Sequence, residues 1–365
     1  MNRRKVVMGG AALVLGGGAA VGYAVSRSGS PRQYADAMAH LRRPMASAAG
    51  DLELVRMATL AANGHNTQPW RFRIRPDGIS IRPDFSRRTP VVDPDDHHVF
   101  ASLGCAVANL SVAAGAQGRG GEVHVDPASE DVIRFTPGRA VGGPRDMAEA
   151  IIVRQSSRNA YDGRALSAEI LNALERAAQM PGVDLALITD GAARARVRDL
   201  VVAGNSAQIA DAAFRRELKA WLRFSPRQAL ARGDGLYTGA SGNVVAPSWL
   251  GGTLFDLFFK AGTENEKYAR QIDSSAGIAV FAGERADPAH WIQAGRACQA
   301  FALKATALGL SVAFINQPVE VAGLRPEMAA LAGLPGRRPD IVMRFGYGPP
   351  LPYSPRRPVE AVLDV

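Results

Sequence analysis

Nine side chains in this sequence combine types and spacings that suit a polar, anionic ligand. The first group lies in Asn63-Gly64-His65-Asn66-Thr67-Gln68-Pro69-Trp70. Side-chain amides offer donors and acceptors together, so Asn63, His65, Asn66 and Gln68 are candidate ligand contacts. Gly64 admits close backbone approach and Pro69 stiffens the exit. The second group is Arg154-Gln155-Ser156-Ser157-Arg158, an Arg-x-Ser-x-Arg run after the apolar Ile151-Ile152-Val153. Arg154, Ser156 and Arg158 place two guanidinium forks and a hydroxyl within reach of one anion, and guanidinium binds phosphate bidentately. The third is Arg356-Arg357, near the end of the chain. Each group also has a plainer reading: a helix-to-strand turn, a basic helix end, and a solvated basic tail.

The elements that must position these residues are legible around them. Leu54, Val55, Ala58 and Ala61 recur at helical spacing before the first loop. After it, Trp70, Phe72 and Ile74 alternate with Arg71, Arg73 and Arg75, a strand with one buried face. Asp77-Gly78 turns that strand into a hairpin with Ile79 and Ile81. Ser167 is the cap of a helix from Ala168 to Met180. Asp340 to Gly348 has a buried-strand pattern, and a Pro-rich arm with Pro349, Pro350, Pro352, Pro355 and Pro358 follows.

Asp93-Pro94-Asp95-Asp96-His97-His98 resembles a metal-ligand cluster in composition. Its order, however, is that of a helix start, with Asp93 at the N-cap, Pro94 in the first position and acids in the first turn. No metal site is expected. The helix that follows, Val99 to about Gly115, is apolar nearly throughout and expected to be buried. Cys105 and Cys298 are the only cysteines; each sits in an Ala-rich helical stretch and is expected in the core.

That apolar helix exposes an internal correspondence. Leu103 to Gly118 aligns without gaps to Ala294 to Gly309 at a constant offset of 191 residues, pairing Gly104 with Gly295 and Gly118 with Gly309. Strand-like segments, Glu122–Val125 and Ser311–Ile315, follow both. Two related halves are therefore expected, residues 33–145 and 146–365. Within the second, residues 217–260 interleave Trp221, Phe224, Tyr237, Trp249, Phe255, Phe258 and Phe259 with glycines, the composition of a hinged cover over a flat ligand or of ordinary core packing.

The length of 365 residues supports roughly two domains, and 47% hydrophobic with 21% charged residues describes a folded chain. The net charge of +9 is scattered among acids, without basic runs interleaved with aromatics, so nucleic-acid binding is not expected. Residues 1–28 stand apart. Arg3-Arg4-Lys5 precedes twenty uncharged residues, Val6 to Val25, of which six are Gly. This is a twin-arginine-like signal layout, long enough to span about 30 Å as a helix. Export to the periplasm or cell envelope through the twin-arginine (Tat) machinery is the expectation; no clear small-x-small cleavage site follows residues 6–25, which leaves both a cleaved signal and a retained membrane anchor open.

His65-Asn66-Thr67-Gln68-Pro69-Trp70-Arg71-Phe72, directly after Leu60-Ala61-Ala62, resembles the flavin-contacting loop of the nitroreductase family, and more narrowly the tandem FMN-binding oxidoreductases of the Acg type. Asn66, Gln68, Pro69 and Trp70 match; Ala62-Asn63 stands where the family carries Pro-Ser. Arg154, Ser156 and Arg158 match the family's Arg-x-Ser-x-Arg/Lys, and Arg356-Arg357-Pro358-Val359-Glu360 resembles its final basic segment. The resemblance implies an α+β, nitroreductase-like fold in which two halves mimic the usual dimer, with one of two sites kept. It implies FMN as cofactor, its phosphate held by Arg154, Ser156, Arg158 and Arg357 or Arg356. NAD(P)H is implied as a transient electron donor, and nitroaromatic or quinone-like compounds as substrates. A monomer or weak dimer is expected, and no residue is singled out as catalytic. The alternative is a flavin-sequestering envelope protein without turnover.

Overall fold

The computed structural model describes residues 28–46, 50–140 and 143–364. The expected signal segment therefore lies outside the described residues, save Ser28. In chain order the first elements are α1 (Pro31–Leu41), α2 (Asp51–Thr59), β1 (Trp70–Arg75), β2 (Gly78–Pro83), α3 (His97–Ala116), β3 (Gly120–Val125), β4 (Ile133–Ala140) and α4 (Arg145–Val153). Then come α5 (Ala168–Ala178), β5 (Val183–Ile188), α6 (Gly191–Ala210), α7 (Ala212–Trp221), β6 (Leu222–Arg223), α8 (Pro226–Arg232), β7 (Leu236–Tyr237), α9 (Ser248–Phe258) and α10 (Ala261–Asp273). The chain closes with β8 (Gly277–Gly283), α11 (Pro288–Ala307), β9 (Ser311–Phe314), α12 (Gln317–Glu320), α13 (Arg325–Leu331) and β10 (Ile341–Gly346).

The alternation read after the first loop gives β1 and β2, a hairpin in register from Trp70 opposite Pro83 to Arg75 opposite Gly78. They join an antiparallel sheet of order β1-β2-β4-β3, and a second antiparallel sheet has the order β5-β8-β10-β9. Taken in sequence, each sheet places its strands first, second, fourth, third, with α3 or α11 joining the second strand to the third. Antiparallel sheets with separate helices make the fold α+β. Between β5 and β8 the second half carries residues 189–276, where the hairpin of the first half has only residues 76–77.

Two buried helices join the halves. A Cβ on Gly104 would stand 2.0 Å from the Ile292 carbonyl oxygen, and one on Gly295 2.0 Å from that of Ala101. Both pairs obey the offset of 191, the reciprocity of a two-fold contact: residue i meets j and j meets i. The helix ends match too. Gly118 and Gly309 have φ of +68° and +76°, which glycine adopts without strain. The next amides, Arg119 and Leu310, donate to the Ala114 and Ala305 carbonyls at 2.9 and 2.8 Å. Cys105 and Cys298 are buried free thiols at this crossing, as the composition of both helices suggested.

The helix start at Asp93 needs correction. α3 begins at His97, because Pro94 to Asp96 form a turn that ends in a left-handed Asp96 (φ 58°). Asp93 still caps the helix from a distance, its carboxylate accepting from the amides of His98 and Val99. Its apolar composition buries α3 in the core; it is the one helix among the described residues long and apolar enough to cross a membrane, and it is enclosed by protein. Ser167 caps α5 as read, accepting from the Ile170 amide.

Candidate functional site

The loop after α2 has a backbone that its residues would not adopt unaided. His65, Asn66 and Gln68 all have positive φ, 48°, 54° and 55°. Non-glycine residues there are destabilised, each by about 1 kcal/mol or more, and persist only where neighbours hold them. The holding is done by the amides of the motif. Asn63 Oδ1 accepts from the Gln68 amide at 2.8 Å, while its Nδ2 donates to the Ala61 carbonyl. Asn66 Nδ2 donates to the carbonyls of Gly235 and Pro355. Gln68 Nε2 donates to the Gly233 carbonyl, and its Oε1 accepts from the Arg357 amide. The loop is thus strapped between the α8–β7 connection and the C-terminal arm. Gly64 N–H donates to Ser102 Oγ on α3, which brings residues 62–65 against that helix.

Beside this loop lies a cavity of about 700 Å³, within the range of small-molecule and cofactor sites. Its floor is Ala62 to His65 with His98, Ser102 and Cys105, one face of α3. Its cover comes from the long insertion: Phe214 of α7, Phe224, and Leu254 and Phe255 of α9. Phe255 stacks on Phe259 with ring centroids 4.5 Å apart. One side of α10 adds Glu264, Lys267, Tyr268 and Gln271, and residues 316–320 add Gln317 and Glu320. Phe224, Phe255, Phe258 and Phe259 of the aromatic segment line the cavity, whereas Tyr237 packs on Tyr34 and Trp221 faces Arg87 and Arg223.

The cavity is basic on one side. Arg158 and Lys267 both line it, and burial together with the Arg158 charge lowers the Lys267 ammonium although Glu264 opposes. Lys267 Nζ donates to Asn243 Oδ1 and the Ser241 carbonyl. Burial holds His65 down to about 4, with the His98 and Arg158 charges adding to it, so its imidazole is neutral at pH 7. His98 is lowered by burial as well, and its buried Nε2 has no hydrogen-bond partner. Burial raises the Glu320 carboxyl, which accepts from Gln208 Nε2 at 2.6 Å.

Of the nine candidate contacts, Asn63, His65 and Arg158 stand on the cavity wall. Six do not, for identifiable reasons. Asn66 and Gln68 are buried in the strapping just described. Arg356 is buried and donates to the carbonyls of Thr59, Leu60, Ala61 and Pro355 and to Asn66 Oδ1; it caps the C-terminus of α2, where a cation complements the helix dipole. Arg154 donates to the Leu60 carbonyl from the other side, 2% exposed. Ser156 forms a bridge with Val312. Arg357 reaches the Ala361 carbonyl and lies 3.9 Å from Asp84. Lys267, Tyr268 and Gln271 were missed by motif reading; their only sequence signal is a polar stripe with Glu264 at helical spacing. Asp93, His97 and His98 bring ligand-type atoms within 4.8 Å of one another, but both Asp93 oxygens accept backbone amides and His97 Nε2 faces Asp340 Oδ1 at 3.1 Å.

FMN fits the donor set on three observations. The cover supplies apolar and aromatic surface for a flat ring. Arg158 and Lys267 supply charge for a phosphate. The orphaned His98 Nε2 and the loop at Asn63–His65 supply polar contacts at the floor. Such an arrangement is that of an α+β protein built to hold a flat, anionic ligand under a helical cover.

The chain belongs to the nitroreductase family: the family's sequence profile matches residues 151–348, more than half of its length. It is similar to a Mycobacterium tuberculosis protein named as a candidate NAD(P)H nitroreductase, 28% identical over 335 residues that cover 86% of this chain and 92% of the relative. It is similar also to the M. tuberculosis protein acg, named likewise, at 23% identity over 321 residues, 85% of this chain and 94% of the relative. Among solved structures, the FMN-dependent nitroreductase NfnB from Mycobacterium smegmatis in complex with NADPH aligns over 56% of this chain and 88% of its own, with 16% identity and a TM-score of 0.36. A nitroreductase with bound FMN from Bacteroides fragilis aligns over the same 56% and 88%, at 16% identity and a TM-score of 0.35.

Proposed function

We propose that this chain is an FMN-dependent oxidoreductase of the cell envelope, taking electrons from a nicotinamide donor and delivering them to electron-poor acceptors, nitroaromatic or quinone-like. The observation that carries the reading is the joint placement of Arg158 and Lys267 on the wall of an aromatic-covered cavity whose floor is the strapped loop. FMN, when bound, supplies the hydride and electron chemistry. The chain's own residues bind and orient. Arg158 and Lys267 hold the phosphate, and the amides of Asn63 and Gln68 fix the loop that meets the ring system. Phe224, Phe255 and Phe259 exclude water from it.

The correspondence of strand order and helix crossing supports a tandem origin, residues 33–145 and 146–365 acting as the two partners of a dimer within one chain. The layout of residues 1–28 supports Tat-dependent export, which carries a folded protein with its cofactor already loaded. The depth of the cover favours a second reading, in which the flavin is sequestered and not turned over. One experiment separates the two: the visible spectrum of the FMN-loaded full chain under anaerobic conditions, before and after NADPH and then dithionite. Bleaching by NADPH supports the oxidoreductase. A flavin band that yields only to dithionite supports sequestration, and failure to retain any flavin overturns both.

A further inference from the structure

Among the described residues ten large apolar side chains are exposed, and six of them fall between residues 230 and 258: Leu230, Val244, Val245, Trp249, Leu257 and Phe258. Val244 is 83% exposed and Trp249 and Phe258 each 68%. The centre of this patch is α9. Its inner side, at Gly251, Leu254 and Phe255, lines the cavity, while Trp249 and Leu257 face outward. A helix apolar on both sides is ordinarily covered on both, and a contiguous exposed apolar surface marks an interaction site. Phe258 belongs to the cavity wall and the exposed patch alike, so the two are continuous.

The start of the described chain lies beside this patch. Gly29 packs on the first turn of α8, so closely that a Cβ there would stand 2.8 Å from the Arg227 amide nitrogen. Two residues earlier, Ser225 Oγ is 3.3 Å from Ser248 Oγ, the first residue of α9. The Ala246 amide donates to the Phe224 carbonyl, and Gly251 packs on the Phe224 ring. The uncharged run Val6–Val25 ends three residues before Ser28, so connectivity alone keeps its end within about 11 Å of Ser28. The point at which that run joins the described chain, Ser28, and the apolar helix face therefore lie at one corner of the molecule. Arg227, which packs beside Gly29, and Lys260, two residues after α9, are exposed at that corner, a complement to anionic headgroups. Tryptophan and basic residues around an aliphatic face are what a membrane interface selects.

We propose that the outer face of α9, with Val244 and Val245, rests on the lipid bilayer that holds the N-terminal segment. The cavity then opens at Phe258 toward lipid and receives acceptors that partition there. The inference rests on the anchoring reading above and is independent of which cofactor the cavity takes.

The test uses full-length protein reconstituted into phosphatidylcholine–phosphatidylglycerol vesicles, with and without bromine on the acyl chains. Bromine quenches tryptophan at short range. Trp70 and Trp291 are buried and Trp221 is half-buried, which leaves Trp249 as the reporter. The expected result is co-flotation with vesicles and a loss of emission in the brominated lipid that Trp249→Phe abolishes. Trp249 is exposed, so the variant keeps its fold. Co-flotation with equal quenching of wild type and variant overturns the docking of α9 and leaves the anchor intact. Protein that does not co-float overturns both. If emission is unquenched and the mass rises with concentration, the face is covered by a second copy, which overturns the proposal as well.

Discussion

Replacing Arg158 and Arg356 by Ala, separately, distinguishes the geometry of this site from its motif. Among the described residues the Arg158 guanidinium has no hydrogen bond or ion pair, and it lines the cavity. Its removal therefore takes nothing from the fold, and the loss falls on the ligand. A charge-assisted hydrogen bond to phosphate contributes about 1.5–3 kcal/mol, so the FMN dissociation constant should rise roughly 10- to 150-fold while the apoprotein's unfolding midpoint stays in place. Arg356 is the reverse case. It satisfies four backbone carbonyls and Asn66 Oδ1 in a buried setting. Truncation leaves those acceptors unpaired, a destabilisation on the order of 3 kcal/mol or more. Molecules that remain folded should bind FMN close to normally. Flavin-fluorescence titration and thermal unfolding of both variants decide the matter. Should Arg356→Ala lose flavin tenfold or more at an unchanged midpoint while Arg158→Ala retains it, the phosphate lies at the C-terminal arginine and the site assignment made here is wrong.

Three further outcomes are expected. Lys267→Ala should weaken FMN binding in the same sense as Arg158→Ala, and flavin binding unchanged by either substitution would remove the basis for placing the phosphate. Gly104→Ala and Gly295→Ala should each destabilise by at least about 3 kcal/mol, because the new methyl meets a backbone oxygen that cannot rotate away. The double variant should fall short of the sum, since both act on one crossing, and denaturant titrations showing strict additivity would argue against a shared contact. His65 is depressed to about 4 from 6.5 in the folded protein, so the unfolded chain binds the extra proton between those values. The stability it contributes is fully present above pH 6.5 and is lost as pH falls toward 4, the loss reaching about 2 kcal/mol by pH 5. His65→Asn, a residue type that tolerates positive φ, should flatten the pH dependence of the unfolding midpoint; an unaltered slope would locate the titration elsewhere.

The elements were legible where burial follows a period. The alternation at Trp70–Arg75 and the Asp77-Gly78 turn gave the hairpin directly, and the offset of 191 residues foretold two helices with equivalent glycines. What no periodicity carries is which polar group turns toward a ligand. Asn66 and Gln68 match the flavin loop by type, yet their amides face backbone carbonyls, because a loop with three non-glycine residues at positive φ has to be tied on both sides. Arg356 matches a phosphate ligand by position, yet faces the end of α2, where the carbonyls of Thr59, Leu60 and Ala61 take its donors. Lys267 and Tyr268 were invisible because α10 reaches the cavity through an insertion with no motif of its own. The start of α3 differs for a related reason: Asp-Pro suits an N-cap locally, but Pro94–Asp96 form a turn that ends in a left-handed Asp96 and delays the helix to His97.

Two differences between the β1–β4 sheet with its connections and the β5–β10 sheet with its connections go with the position of the cavity. The connection from α2 to β1 runs over residues 60–69, long enough for the left-handed turn that brings Asn63–His65 to the start of α3. The corresponding connection from α5 to β5 is residues 179–182 alone, too short for such a turn, and Gly182 packs directly on His290 near the start of α11. The second departure is the insertion at residues 189–276, which the first half replaces with the two-residue turn at 76–77. Its helices α7, α9 and α10 close over the first half's loop. Residues 62–65 with α3 thus contribute the floor and the insertion the cover. The insertion and the loop beneath it are complementary, the first supplying the aromatic cover and the second the polar floor of one cavity.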